Sequence, residues 1–486
     1  MITLIIFYTC LMLFSVAIFI IAVKTWKITN DFCIPLTTFF LFYFTLAGAF
    51  FFAADSYFGF NGANIGLHYY IIFERMFPIW FDGYYIQSCV YYAAFVLVFQ
   101  LLLYIFLKKL FQKKNYSAQE SELNFRFELN PYAVFFATAA LIALSIYCLK
   151  DEIATAIRQC QSVYTVTRSN HNQLYTIHQL ANEFCVLIPF MAYAVLFIDR
   201  HKFSLSIKQV KGAKIILLLT CFIAALYISF LGNRRELLSA LIVCTLFFIN
   251  HFKRSSLLKY GFIFGITFVM FLANDFIRST IVPKFLHEVF MPNTPTEKAP
   301  PEEFFLSDKV TAGDKFKQVF SSFVLSNELF YAHFSMYGVL QHKIKPTYGT
   351  SLKYLACSIV PRSILKDRPD DIYTYYVKEI NAAPGQIYTL HNATGWYLNF
   401  GLIGIIFGAG AIAFFFVGAF YLQERRNKFK NKFLIILGDV VVVLISAQFV
   451  TFITSGPEGY KAMLVEGIIL PVLILTILSK RKISTN

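Results

Sequence analysis

Arg234 and Arg235 stand in the run Gly232-Asn233-Arg234-Arg235-Glu236, a short hydrophilic break between two apolar stretches. Asn233 is a good helix N-cap, and Glu236 three residues on completes a pattern like a capping box. Both arginines are therefore expected in the first turn of the helix that follows. There the free backbone N–H groups and the helix dipole already favour an anion. Guanidinium adds paired donors that match a phosphate. The chemistry predicted is capture of a phosphate or diphosphate group. The plain alternative is a pair of arginines that anchors a short helix at a membrane surface.

Three other groups of residues could do chemistry. Tyr348-Gly349-Thr350-Ser351 is followed by Pro361-Arg362-Ser363 and by Lys366-Asp367-Arg368-Pro369-Asp370-Asp371. Arg362, Lys366 and Arg368 could bind phosphate or sugar, or sit in a solvated charged turn. Asp370 and Asp371 could ligate a cation, but with no His or further acid at metal-ligand spacing nearby no metal is expected. In His391-Asn392-Ala393-Thr394-Gly395-Trp396, a histidine precedes an apolar run, which suits a general base beside a sugar, with Asn392 as a binding residue; an ordinary interfacial histidine is the alternative. Residues 150–179 carry Arg158, Arg168 and His171; the last two are three apart and would share a helix face as a second anion site. Arg278 is a further candidate contact at the head of the long segment described below. Asp439 lies inside an apolar run, where an acid is either functional or paired with a neighbour.

The elements that must position these groups are membrane helices. The chain has 486 residues, of which 57% are hydrophobic and only 15% charged, and 57 are Phe. A soluble domain carries about 25% charged residues. Apolar runs long enough to span a bilayer recur along the whole chain. They fall near 2–23, 33–53, 86–106, 131–149, 180–198, 215–231, 237–250, 260–276, 396–421, 433–453 and 462–478. The reading is an all-α integral membrane protein of about eleven transmembrane helices. Residues 1–276 hold the first eight, 277–395 form one large outer loop, and 396–486 hold the last three and a tail.

The net charge of +15 could suggest nucleic acid as a partner, but the cations sit in clusters between apolar runs, which is a topology signal. Segments 24–31, 108–130, 199–214, 251–259, 423–432 and 480–486 carry 23 Lys and Arg against 6 acids, leaving 20 against 22 elsewhere. The positive-inside rule makes that side cytoplasmic, with the N-terminus outside and the C-terminus inside. No cleavable signal is expected, because the first Lys, Lys24, follows the apolar run rather than preceding it. The outer loop opens with a Pro-rich acidic stretch at 292–303. It continues with an aromatic run at 316–340, expected to lie on or dip into the interface, or to form a hidden pair of spans. The nine cysteines lie mostly in apolar runs and none forms a Cys-x-x-Cys pair; Cys160 and Cys357 both fall in outer segments and could pair.

Three pieces of the sequence together resemble the bacterial O-antigen polymerases, which join oligosaccharide repeat units: GNRRELLSALI at 232–242, YGTSLKYLACSIVPRSILKDRPDD at 348–371 and HNATGWYLNFGLIG at 391–404. The His-Asn start and spaced glycines of the third piece are also similar to the related O-antigen ligases. The plan of ten to twelve spans with one large, late outer loop extends the resemblance over nearly the full chain.

The resemblance implies a multi-span glycosyltransferase of the bacterial inner membrane, acting on the periplasmic side. Its donor would be a glycan on undecaprenyl diphosphate, and its acceptor a second lipid-linked repeat unit. The family implies no cofactor, metal or nucleotide sugar; a candidate partner is a chain-length regulator protein. Arg234 and Arg235 would stabilise the departing diphosphate and His391 would take the acceptor proton. Two other readings stay open: a ligase that hands the glycan to lipid A core, and a flippase or transporter of lipid-linked oligosaccharide.

Overall fold

A computed structural model describes residues 2–42, 46, 49, 81–112, 127–160, 163, 166, 181–182, 184, 187–194, 207–231, 234–251, 282–291, 332–358, 365, 369–380, 390–449, 452 and 455–481. The helices in chain order are α1 (Ile2–Thr29), α2 (Cys33–Phe42), α3 (Gly83–Gln112), α4 (Pro131–Cys148), α5 (Lys150–Gln159), α6 (Ile207–Leu231), α7 (Arg234–His251), α8 (Val282–Phe290), α9 (Ala332–Gln341), α10 (Thr350–Ser358), α11 (Ile372–Glu379), α12 (Asn392–Phe400), α13 (Leu402–Arg425), α14 (Lys432–Ala447) and α15 (Gly459–Leu478). Two three-residue strands, β1 (Phe127–Leu129) and β2 (Ser479–Arg481), form an antiparallel pair. Among the described residues six helical stretches are long and apolar enough to cross a membrane: Ile2–Thr29, Gly83–Phe111, Pro131–Cys148, Lys211–Leu231, Leu402–Lys428 and Gly459–Leu478. The chain is a multi-pass membrane protein by these helices. The expected span at 260–276 lies outside the described residues, as do 9 of the 21 residues at 33–53 and 8 of the 19 at 180–198.

The chain divides into two compact units. Unit 1 comprises 1–117, 310–421 and 448–465; unit 2 comprises 118–309, 422–447 and 466–486. In unit 1, α1 packs along α3, with Phe7 edge-on to Phe81 at 5.4 Å between ring centres, and α9 and α12 also contact α3. Residues 333–340 of α9 are buried on every side. The run expected to lie along the membrane surface is thus, in its described part, an interior helix of this unit. Small and aromatic side chains (Ser335, Gly338, Phe334, Tyr337) let it pack all round, as a helix without a polar face must.

A second difference concerns the run from 396 to 421. The apolar pattern reads as one span, but Gly401 divides it. Its φ of +63° ends α12, and its N–H bonds the Tyr397 carbonyl at 2.7 Å. Only α13, beginning at Leu402, is the long apolar helix. The glycine supplies a backbone conformation that a side chain would strain.

In unit 2, α4 packs on α6, and the hydroxyl of Tyr227 donates to Ser145 across that contact. Helix α7 packs on α14. Nearly every residue of α14 from Ile435 to Ala447 is buried, including Asp439. β1 pairs with β2 in the register Phe127 to Arg481, Glu128 to Lys480 and Leu129 to Ser479. Lys432 Nζ bonds the carbonyls of Thr476 and Ser479. The charge alternation assigned these three neighbourhoods to one side. Helices α5 and α8, which it assigned to the opposite side, also touch. In α15, residues Ala462–Ile469 run as π-helix immediately before the turn that holds Pro471. A proline removes an intrahelical N–H and crowds the carbonyl four residues back, and a π turn absorbs that mismatch.

Candidate functional site

Two of the three sequence pieces come together in unit 1. His391 is the N-cap residue of α12 and is fully buried. Its Nδ1 lies 3.4 Å from Ser335 Oγ on α9. Ser335 Oγ is 2.8 Å from Thr394 Oγ1, and Thr394 Oγ1 is 3.0 Å from the Tyr92 hydroxyl on α3. The Tyr92 ring stands edge-on to the His391 ring, 6.2 Å between centres. Every link here is a group that can both donate and accept. The chain from Tyr92 to His391 therefore has two self-consistent directions, and reversing it moves the proton at Nδ1.

A second histidine lies beside this chain. His333 Nε2 is 3.1 Å from the Tyr85 hydroxyl, which donates to the Ala49 carbonyl at 3.1 Å. A phenol has one proton, so His333 must donate through Nε2. Burial, with a smaller contribution from neighbouring His391, pushes the His333 imidazole down to about 3. His333 is thus neutral at physiological pH.

Asn392 is offered by the sequence as a sugar contact, and its side chain is engaged inside the unit. Its Nδ2 donates to the Ser455 carbonyl at 3.0 Å, and its Oδ1 accepts from the Tyr460 hydroxyl at 2.9 Å. Trp396 Nε1 donates to that same Tyr460 oxygen at 2.9 Å. The Ser-Gly-Pro-Glu-Gly turn at 455–459, which sequence reasoning passes over, is what α12 rests on. A Cβ on Gly395 would meet Gly456 Cα at 2.8 Å, so helix and turn touch backbone to backbone. Two glycines with a proline between apolar runs are the signal that could have marked this contact.

The same turn reaches the Tyr348–Ser351 motif. Tyr348 and Gly349 both adopt positive φ, at +53° and +101°, and so turn the chain into α10. Ser351 and Asn399 exchange two hydrogen bonds, Ser351 N to Asn399 Oδ1 at 3.0 Å and Asn399 Nδ2 to Ser351 Oγ at 2.7 Å. Glu458 Oε1 accepts from Ile372 N at 3.2 Å at the start of α11. Burial raises the Glu458 carboxyl above its ordinary range; hydrogen bonds from Ser351, its own backbone and Ile372 pull it back, and Asp371 adds to the rise. Asp371 caps α11 through Thr374 N at 2.7 Å, and Asp370 pairs with Lys378 at 2.7 Å. Both acids of that pair serve local structure. Among the described residues no three of His, Cys, Asp and Glu gather as metal ligands.

Beside this polar layer lies an open apolar groove of about 570 Å³. Trp396, Phe400, Phe407 and Phe414 line it. Trp396 therefore has one face on apolar space and its N–H on the Tyr460–Asn392 chain.

In unit 2, α7 begins at Arg234, so both arginines occupy its first turn. Arg158 is exposed in the last turn of α5. Arg168, His171, Arg278, Arg362, Lys366 and Arg368 lie outside the described residues. Asp439 is paired: its Oδ1 is 3.6 Å from Arg426 Nε. Gly438 makes room for that arginine, since a Cβ there would meet Arg426 Cβ at 2.8 Å. Cys160 lies in unit 2 and Cys357 in unit 1, each as a free thiol.

No protein-family model matches the chain, and no curated protein or solved structure matches it. What the site offers chemically is two buried histidines, His391 at the end of a chain of hydroxyls and His333 beside it, and a helix in unit 2 that begins with two arginines.

Proposed function

We propose that the protein polymerises oligosaccharide repeat units carried on undecaprenyl diphosphate, by glycosyl transfer on the outer side of a bacterial inner membrane. The observation that carries this reading is the start of α7 at Arg234, so that two arginines stand at the head of that helix. A leaving diphosphate gains negative charge as the glycosidic bond breaks. Donors fixed in advance at that place lower the barrier. The resemblance of 232–242, 348–371 and 391–404 to the polymerase family supplies the substrate class.

In this reading His391 takes the proton from the acceptor hydroxyl and Ser335 and Thr394 hold its ring. The burial of His391 requires that its Nε2 side be reached once substrate is bound. Catalytic geometry often tightens only in the substrate complex.

A second reading is a transporter of lipid-linked oligosaccharide, in which the two buried histidines would serve the packing of unit 1 rather than proton transfer to an acceptor. One assay separates the readings. Purified protein in lipid is given repeat units on undecaprenyl diphosphate, with and without lipid A core. Chain growth supports the polymerase, transfer to the core supports a ligase, and neither, with movement across vesicles, supports a transporter.

A further inference from the structure

Helix α8 (Val282–Phe290) shows three different faces. Pro283 and His287, four apart, are buried. His287 Nδ1 donates to the Ile157 carbonyl of α5 at 2.9 Å, which docks this face on α5. Lys284 and Glu288 form a second face, both well exposed and 4.0 Å apart. Phe285 and Val289 form the third, 60% and 53% exposed, with Phe290 exposed at the helix end. At about 100° per residue the apolar face lies roughly 100° round the helix from the charged one. A helix wholly in water has no use for such an apolar face, and one wholly in lipid would not expose the ion pair.

The position of α5 says what lies outside. Ile153 and Ala156 of α5 share a cluster with Tyr227, Ile228 and Leu231, the last turn of α6, and with Leu141 and Ile142 of α4. So α5 lies back against the ends of two apolar helices rather than standing clear of them. Those helices keep large apolar side chains exposed up to the same level: Ile146 and Tyr147 on α4, Phe222 and Leu226 on α6. Lys150 Nζ sits 5.7 Å over the Tyr147 ring, the arrangement of an aromatic and a cation at a membrane boundary. The bilayer-facing belt of α4 and α6 thus reaches the level of the helix that carries α8.

We infer that α8 is an interfacial anchor: Phe285 and Val289 enter the acyl-chain edge of the bilayer while Lys284 and Glu288 stay in water. Interfacial helices bury their apolar face about 5–10 Å into the boundary, which is within one helix diameter of α5. The anchor would fix the level of the adjoining loop against the membrane. It is independent of the reaction proposed above.

Phe285→Trp and Val289→Trp test it, with Lys284→Trp as the water-facing comparison. Each variant is placed in phosphatidylcholine nanodiscs with plain or acyl-brominated lipid. Emission is read as the excess over the unsubstituted chain with its three tryptophans. The expected result is strong quenching by brominated lipid and little by iodide at 285 and 289, and the reverse at 284. Quenching by iodide at 285 and 289 would overturn the inference by placing them in water. Quenching by neither would overturn it by showing that protein, such as a second copy, covers the face. Labelling of the unsubstituted chain from acyl-borne carbenes probes the same contact without substitution: modification of the peptide 282–291 is expected, and its absence contradicts the anchor.

Discussion

Ser335 Oγ stands 3.4 Å from His391 Nδ1 and 2.8 Å from Thr394 Oγ1, so one side chain of α9 fixes two residues on the first turn of α12. If His391 is the base, His391→Ala should lower turnover per mole of folded protein by about 10²–10⁴. Ser335→Ala should lower it less, because it removes the hydroxyl that holds the ring at Nδ1. Turnover of both variants across pH checks this. A His391→Ala enzyme with most of its turnover leaves the histidine a purely structural role.

The His333 imidazole, pushed down to about 3, predicts how stability varies with acid. Its ordinary value is about 6.5. A histidine buried neutral contributes fully above the unfolded value, and the contribution is lost as pH falls from about 6.5 towards 3. Melting temperature in detergent should therefore fall across that window. His333→Gln, which keeps a donor towards Tyr85, should flatten the fall. An unchanged pH slope in the variant would rule out His333 as its source.

Glu458 has the opposite sign. Its raised carboxyl means the folded state binds the proton more tightly, so stability is present at low pH and is lost as pH rises from about 4.5 through the raised value. Glu458→Gln keeps an acceptor for Ile372 N and removes the charge. It should melt at or above the parent temperature at pH 8, while Glu458→Ala should melt below it. A Gln variant that melts as far below the parent as the Ala variant would show that the charge, not the acceptor, holds the turn.

Asp439 and Arg426 are 3.6 Å apart with the carboxylate buried. Removing one partner of such a pair leaves a buried charge, at a cost of about 3–5 kcal/mol. Asp439→Ala and Arg426→Ala should each lower folded yield, and replacing both should recover part of the loss. A double variant that melts below each single one would contradict the pairing.

Helices such as α1, α3 and α6 are legible in the sequence because hydropathy is a local property and each run exceeds the bilayer thickness. The start of α7 at Arg234 was legible for the same kind of reason: Asn and Glu three apart are residue types that favour a helix start, a property of the local sequence. The break at Gly401 was not, since the flanking residues stay apolar and only the backbone dihedral distinguishes it. Nor were the partners of His391. Tyr92 and Ser335, like the turn at 455–459 that meets Asn392 and Gly395, are far away in sequence, and nothing in a single chain pairs them. That α9 would be interior also depends on what surrounds it, which periodicity cannot report.

The central claim rests on Arg234 and Arg235, and one measurement tests it most directly: polymer formed per mole of folded protein, from lipid-diphosphate-linked repeat units, for Ala and Lys at each position. A charge-assisted contact is worth roughly 1.5–3 kcal/mol. At whichever position faces the donor, Ala should therefore cost about tenfold to a hundredfold, in turnover as well as in affinity, because the charge grows in the transition state. Lys should restore only part of the rate, since it offers a point charge in place of a fork. Specific activity near that of the parent in all four variants, with only the membrane yield reduced, would contradict a diphosphate site and leave the arginines as anchors.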